Sequence, residues 1–415
     1  MNRRAWFAIT VVLFAACSTP GGNGAMPSAQ LAQSGRRAHQ TYTIHFFRSL
    51  GGTNSAANSI NGAGWAMGLS FLKGNATAHA AIWRGRSAID LETLGGPNSA
   101  IEWPVSNDNG YASGISETAT PDPLGESKGW SCHAFLPDGG SSGDTCLGFV
   151  WHGGHMTALP TAGGNNGYAA GMNQSGTIAG WAETSQKDAT CVAPQQLQFV
   201  PVTWNASTLH VRRLPTLAVN GKTDPDGAAT AVNRSGEVVG ISGICDQAVG
   251  RFTARHAVAW IDGKVLKLQT IGGISWNTPA AINDRGQIVG FLNKPGKDDR
   301  AGNPDFISAI WDDARKAPAV IGTLPGDALS EPTSINDRGV VLGVSFPSSH
   351  VYLWKNRKMT DFTTLVAAAY PKYAVVSVGG INDDGQIAGQ ACLLVSGSCP
   401  SSNATYVAFL ATPNR

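Results

Sequence analysis

The ten-residue stretch Ala281 to Gly290, AINDRGQIVG, recurs in recognisable form seven times, and nothing else in the 415-residue sequence constrains the fold as tightly. Its Asn and first Gly fall at Asn61/Gly64, Asn107/Gly110, Asn173/Gly176, Asn233/Gly236, Asn283/Gly286, Asn336/Gly339 and Asn382/Gly385. A second Gly follows four residues later, from Gly68 to Gly389. An Asn side chain accepts a hydrogen bond from the backbone two residues on, and Gly takes the positive φ that ends a type I turn with a G1 bulge, so N-x-x-G is a turn. The residue before each Asn is mostly apolar (Ile60, Met172, Val232, Ile282, Ile335, Ile381) and the one before that is small (Ser59, Gly171, Ala231, Ala281, Ser334, Gly380). That alternation predicts a strand with one crowded side. After the turn, Gln287 to Val289 and Val340 to Leu342 are apolar and β-branched enough for a second strand, which makes each copy one hairpin.

A third segment follows at variable distance and usually ends in Trp: AHAAIW to Trp83, LGFVW to Trp151, PVTW to Trp204, HAVAW to Trp260, ISAIW to Trp311 and HVYLW to Trp354. Tyr406 to Leu410 takes the seventh place without the Trp. Beyond each Trp lies a short turn, then a fourth segment ending in a Thr-Leu-like pair, as at Thr93-Leu94, Thr161-Ala162, Thr216-Leu217, Thr270-Ile271, Thr323-Leu324 and Thr364-Leu365. The remaining pair, Ser49-Leu50, stands before the first hairpin, while no fourth segment follows Leu410. This offset predicts an all-β fold, a seven-bladed β-propeller of four-stranded antiparallel blades in which the N-terminal strand Tyr42 to Leu50 completes the last blade. Successive Asn positions lie 46 to 66 residues apart, which suits blades better than a sandwich or a capped solenoid. Closure leaves no long exposed edge, the small residues suit a narrow channel, and the Trp residues fill the space between sheets.

Residues 1–17 begin with Arg3 and Arg4, continue with an apolar run from Ala5 to Ala16, and reach Cys17 after Phe14-Ala15-Ala16. This is the pattern of a lipoprotein-type signal peptide, too short for a spanning helix of about 20 residues. The small residues before the Cys resemble the lipobox of bacterial lipoproteins, which implies that Cys17 becomes the acylated first residue and anchors the chain to a membrane. Phe14 stands where Leu is usual, and removal of Cys17 by the ordinary signal peptidase is the alternative. Ser18, in place of Asp, favours the outer membrane. Residues 18–41, rich in Gly, Pro, Ser, Ala and Gln, read as a flexible tether. Residues 42–415 read as one monomeric domain, with abundant Gly, few charges and no amphipathic helix of useful length.

With Cys17 set aside six cysteines remain, and export permits disulfides. All lie between a second and a third strand. The expected pairs are Cys132 with Cys146 and Cys392 with Cys399 as local staples, and Cys191 with Cys245 between the third and fourth blades. A metal site or free thiols are the alternative, but no CxxC or His-x-x-x-His spacing supports a metal. The same connections carry the insertions, at Ile115 to Thr145, Trp181 to Gln198, Ile241 to Arg255, Phe291 to Asp305 and Gln390 to Thr405. Long loops on a rigid scaffold are where binding sites are placed, so this face, with Trp103, Trp130, Trp181 and Trp276 near its loops, is the candidate surface for a protein or glycan. Tolerated decoration is the alternative.

No catalytic residues and no cofactor are expected. His79, His256 and His350 lie at one repeated position, and His133 opens a similar segment, which marks them as structural. Asp284, Asp337 and Asp383-Asp384 sit in the turns without calcium-loop spacing and read as solvated turn residues. P-loop and H-E-x-x-H motifs are missing, and a formal net charge of +2 with no basic run argues against nucleic acid as a partner.

The units His256-Ala257-Val258-Ala259-Trp260, Leu268 to Gly273 and Ala281 to Gly290 resemble the bacterial HAF repeat of extracellular proteins, and His133-Ala134-Phe135 matches its triplet. The resemblance covers about nine tenths of the chain and implies an exported repeat protein with no catalytic residues to carry over. The first expectation is thus a binding scaffold on the cell envelope, facing the periplasm or the cell surface. A propeller lyase or glycosidase with its acid and base at the channel mouth, and a purely structural envelope protein, are the alternatives.

Overall fold

The computed structural model describes residues 41–129, 132–136, 141–246, 249–296 and 305–414; the signal sequence, Cys17, nearly all of the tether and Trp130 lie outside them. Among the described residues, strands form seven four-stranded antiparallel units in chain order. Unit 1 comprises Gly51–Ile60, Ala66–Leu72, Ala78–Trp83 and Ala88–Asp90. Unit 2 comprises Gly95–Ala100, Ala112–Pro121, Asp144–His152 and His155–Ala158, and unit 3 Gly163–Met172, Thr177–Lys187, Leu197–Asn205 and Val211–Arg213. Unit 4 is built from Asp226–Val232, Val238–Gly243, His256–Ile261 and Lys264–Lys267, and unit 5 from Thr278–Ile282, Ile288–Asn293, Phe306–Trp311 and Ala319–Gly322. Unit 6 contains Leu329–Ile335, Val341–Phe346, His350–Lys355 and Lys358–Asp361. In unit 7 the strands Tyr373–Ile381, Ile387–Leu393 and Tyr406–Pro413 are completed by Tyr42–Phe46, paired antiparallel with Tyr42 opposite Pro413 and Phe46 opposite Phe409. A single parallel bridge from Asn54 to Tyr406 joins units 7 and 1 into one larger sheet.

The repeated residues account for this regularity. In six turns the Gly N–H donates to the Asn carbonyl at 3.0–3.1 Å, and in all seven the Gly holds φ between 72° and 88°. Each Asn Oδ1 accepts from backbone N–H groups inside its own turn, as from Arg285 at 3.1 Å and Gln287 at 2.9 Å for Asn283. The second Gly is required by a bulge in the first strand: a Cβ at Gly68 would lie 1.9 Å from Ala56 O, and one at Gly180 would lie 2.0 Å from Tyr168 O. Indole N–H groups of Trp83, Trp204, Trp260 and Trp311 donate at 2.7–2.9 Å to Arg48 O, Pro160 O, Pro215 O and Gln269 O, in each case the residue before the Thr-Leu-like pair entering the same unit. A serine two residues after the second Gly completes that corner. Ser70, Ser116, Ser242 and Ser345 accept from the N–H of Leu50, Leu94, Leu217 and Leu324.

Antiparallel order puts the Asn turns and the third-to-fourth-strand turns at one end of every unit, here the turn end. The second-to-third-strand connections and the links between units share the other, the loop end. Neighbouring turn ends are tied by a second use of the same Asn. Its Nδ2 donates to the carbonyl of the next unit's Asn, from Asn61 to Asn107 (3.0 Å), Asn107 to Asn173 (3.1 Å), Asn173 to Asn233 (2.8 Å) and Asn233 to Asn283 (3.2 Å). The series continues from Asn283 to Asn336 (3.0 Å) and Asn336 to Asn382 (2.9 Å), and Asn382 donates back to Asn61 at 3.1 Å. Between units the core is apolar: Val239, Ala259, Ile288 and Trp311 fill the space between units 4 and 5, and Ala57, Trp83, Ala388 and Ala408 that between units 7 and 1.

Three expectations need correction. The fourth strands are short, and the Thr-Leu-like pairs lie beyond them; in unit 6 Thr364-Leu365 sits in a helix, Phe362–Ala369, capped by Asp361 accepting from Thr364 N at 2.9 Å. The turn aspartates are latches as well as solvated groups, since Asp284, Asp337 and Asp383 accept the N–H of Arg234, Asp284 and Asp337 at 2.7–2.8 Å. Strands of units 2 and 3 run on to Pro121 and Lys187, past the expected loop starts at Ile115 and Trp181.

Candidate functional site

The loop end of units 2 to 4 holds the most elaborate side-chain chemistry in the structure. The three disulfides form as paired above, Cys132–Cys146, Cys191–Cys245 and Cys392–Cys399, with Cα–Cα distances of 5.9, 4.4 and 5.9 Å. The second ties the loop of unit 3 to that of unit 4, where Val192 N also donates to Asp246 O at 2.9 Å. Beneath these staples a buried polar network joins units 2 and 3. A 3-10 turn at Glu126–Lys128 carries Glu126 into the unit 3 loop, where its Oε1 accepts from Gln196 N at 2.7 Å and Leu197 N at 2.6 Å. Asn166 donates through Nδ2 to Asp122 Oδ2 and Glu183 Oε1, both at 3.2 Å, and accepts from Cys146 N at 3.0 Å. Gln195 Nε2 donates to Glu183 Oε1 at 3.1 Å, and Glu183 Oε2 accepts from Asn166 N at 2.8 Å.

Burial dominates the electrostatics here. It pushes Glu183 up to about 7, with the Glu126 carboxylate adding to the effect. Glu126 is raised by burial too, in spite of the backbone N–H groups of Leu197 and Gln196. Asp226, whose Oδ1 accepts from Phe199 N at 2.9 Å, is pushed up to about 8 by burial and by the Asp188 carboxyl of unit 3 beside it. Near neutral pH Glu183, within unit 3, is therefore about half protonated, and Asp226, which bridges units 3 and 4 through Phe199 N, is largely protonated.

The four tryptophans assigned to this surface separate. Trp130 lies outside the described residues. Trp181 is buried in the core, edge-on to Phe199 at 5.6 Å, because its strand continues past it; it is not a surface residue. Trp103 leaves the first strand of unit 2 and donates its indole N–H to Ala280 O of unit 5 at 2.9 Å, so it is a cross-brace. Trp276 does lie at the loop end, partly exposed, with φ of 55° and its N–H on Arg251 O at 3.4 Å. Sequence reasoning missed the aliphatic residues: Val192, Ile274 and Val395 are 43%, 54% and 59% exposed, and all three belong to loop-end segments.

The histidines have partners that spacing alone did not reveal. His79, His256 and His350 each place Nδ1 2.8–2.9 Å from a carboxylate, of Asp90, Asp224 and Asp361. Burial works to raise Asp224, but hydrogen bonds from His256 and Ser242 outweigh it and hold the carboxyl below its usual range. Two carboxylates occupy the position five residues before the Asn, Glu102 in unit 2 and Glu331 in unit 6, where Tyr168 stands in unit 3. Burial alone raises Glu102 well above the usual range and pushes Glu331 up to about 8, and neither carboxyl contributes to the other's shift. Among the described residues, no group of three or more His, Cys, Asp or Glu side chains has an arrangement that holds a metal ion.

No family model matches the chain, and no curated protein matches it in sequence. Solved structures give weak likenesses. A Dyadobacter fermentans DSM 18053 protein of unknown function has 10% identity and a TM-score of 0.41, over 91% of this chain and 99% of that one. Kuenenia stuttgartiensis hydrazine synthase has 11% identity and a TM-score of 0.36, over 73% of this chain and 46% of that one.

Proposed function

We propose that the seven units are the blades of a closed β-propeller completed by Tyr42–Phe46, and that the protein is an exported, lipid-anchored interaction scaffold of the HAF-repeat type whose loop end engages a protein or saccharide. The cycle of amide bonds that returns to Asn61, together with the pairing of Tyr42–Phe46 and Tyr406–Pro413, supports the closed arrangement. In it Trp103 spans the channel and stoppers it.

The observation that carries the binding reading is the stapling of the loops of units 2 to 4 by Cys132–Cys146, Cys191–Cys245 and the buried network around Glu183. The described parts of these loops are cross-linked by disulfides and hydrogen-bonded in place, which lowers the ordering cost of binding. The exposed Val192 and Ile274 flank that region. Disulfides fit an oxidising compartment, in keeping with export. Thr41 lies at the turn end, tied to Asn414 by a backbone bond of 2.9 Å, so a tether to an acyl group on Cys17 would leave the domain from the end opposite the loops.

The test compares immobilised wild type with the double variant Val192→Glu, Ile274→Glu for ligands retained from envelope extract and on a glycan array. Loss of a retained ligand in the variant, with an unchanged melting curve, is expected. Equal retention by both proteins overturns the reading.

A further inference from the structure

The repeat breaks in one place that the scaffold does not require. Four residues after the Asn, units 3 to 7 carry Thr177, Glu237, Gln287, Val340 and Gln386, and the side chains of Glu237, Gln287 and Gln386 accept from the Asn amide of their own turn at 2.6–3.1 Å. Units 1 and 2 carry Trp65 and Tyr111 instead. The residue after the third-strand Trp changes in concert, to Arg84 and His152, and each lies flat on its new neighbour. The Arg84 Cζ sits 3.6 Å from the Trp65 ring centroid, and the His152 and Tyr111 rings stack at 4.0 Å and 15°. Trp65, Arg84 and His152 border one open groove of about 550 Å³ between the turn ends of units 1 and 2, whose rim includes Asp108 and Asn109.

We propose that this groove binds an acidic saccharide, with Arg84 taking the carboxylate of a uronic acid residue and His152, Asp108 and Asn109 taking ring hydroxyls. Arg84 is exposed and has no carboxylate partner among the described residues, and its Cζ rests over the Trp65 ring. A guanidinium fixed in this way matches a carboxylate bidentately and loses little freedom on binding. Asp108 is already held by Ala63 N at 3.0 Å, so its negative charge is a fixed part of the rim. That charge opposes a phosphate dianion but suits a monoanion rich in hydroxyls, to which it offers an acceptor. Gly153 and Gly154, with φ of 61° and 93° and empty space where a Cβ would stand, leave the approach over His152 clear. The groove volume falls in the range of ligand sites and exceeds what a lone ion needs. A peptide is a poorer fit, because the rim is made of turns at Gly110, Gly153 and Gly154 and not of a strand edge. This site lies at the opposite end from the loop surface and does not depend on it.

Calorimetric titration of the whole exported domain with trigalacturonate and trimannuronate, against galactotriose and a triglutamate peptide, tests the proposal. Saturable binding of at least one uronate, tenfold or more tighter than galactotriose and triglutamate, is expected, with Arg84→Gln weakening it tenfold or more. Lys355→Gln, at the matching position of unit 6, leaves it unchanged. Absence of uronate binding, equal binding of the neutral sugar or the peptide, or wild-type affinity in Arg84→Gln overturns it; melting curves show that the variants remain folded.

Discussion

The repeated Asn performs two tasks with one carboxamide. Its oxygen closes its own turn, and its nitrogen reaches the carbonyl of the next unit. Replacing Asn283 separates them. Asn283→Ala removes both and should lower stability by about 2–3 kcal/mol, whereas Asn283→Asp keeps the turn acceptor and loses the inter-unit donor, with about half that effect; urea melts of the two variants measure the difference. Only the first task was legible in the sequence, because turn chemistry is local and N-x-x-G spells it out. The second depends on which carbonyl stands opposite, and no spacing encodes that. The His–Asp pairs are a similar case. His256 is visible as a repeated residue, but its partner Asp224 sits 32 positions away in a link of irregular length.

At the scale of elements, alternation and the Trp positions were enough to locate the strands, while insertions hid how far they continue. Trp181 illustrates this: its strand runs on to Lys187, which carries it into the core when repeat length alone would have ended the strand sooner. The buried carboxyls make a pH prediction. Glu183, Asp226 and Glu331 have folded values of about 7, 8 and 8, against ordinary values of 4.5, 3.8 and 4.5. Between these limits the folded chain holds protons that the unfolded chain has released, so stability falls as pH rises from the ordinary carboxylate range to about 8 and levels off above it. In the opposite direction, Asp224 and Asp361 lie below their usual range, and their contribution is lost only as pH falls through it. The melting midpoint should therefore be several degrees higher near about pH 5 than near about pH 8.5. Glu183→Gln should flatten that slope, and calorimetric scans at the two pH values check it.

For the molecule as a whole, the pairing of Tyr42–Phe46 with Tyr406–Pro413 is the contact of greatest reach in sequence. Deleting residues 42–46 would leave Tyr406–Pro413 as a bare edge beside the parallel bridge at Asn54. Such a chain should melt lower and associate through that edge, which scanning calorimetry and light scattering would detect together. Unchanged melting in a monomeric variant would mean that the strand is dispensable.

That same pairing sets an order of events during synthesis. Segments emerge from the ribosome amino end first, so Tyr42–Phe46 must wait while more than 350 residues follow before its partner arrives. Every earlier sheet can fold on its own neighbours in the meantime, but the first strand delivered is the last to be engaged. A factor that shields the unpaired amino-terminal segment until its partner arrives should therefore raise the yield of folded protein.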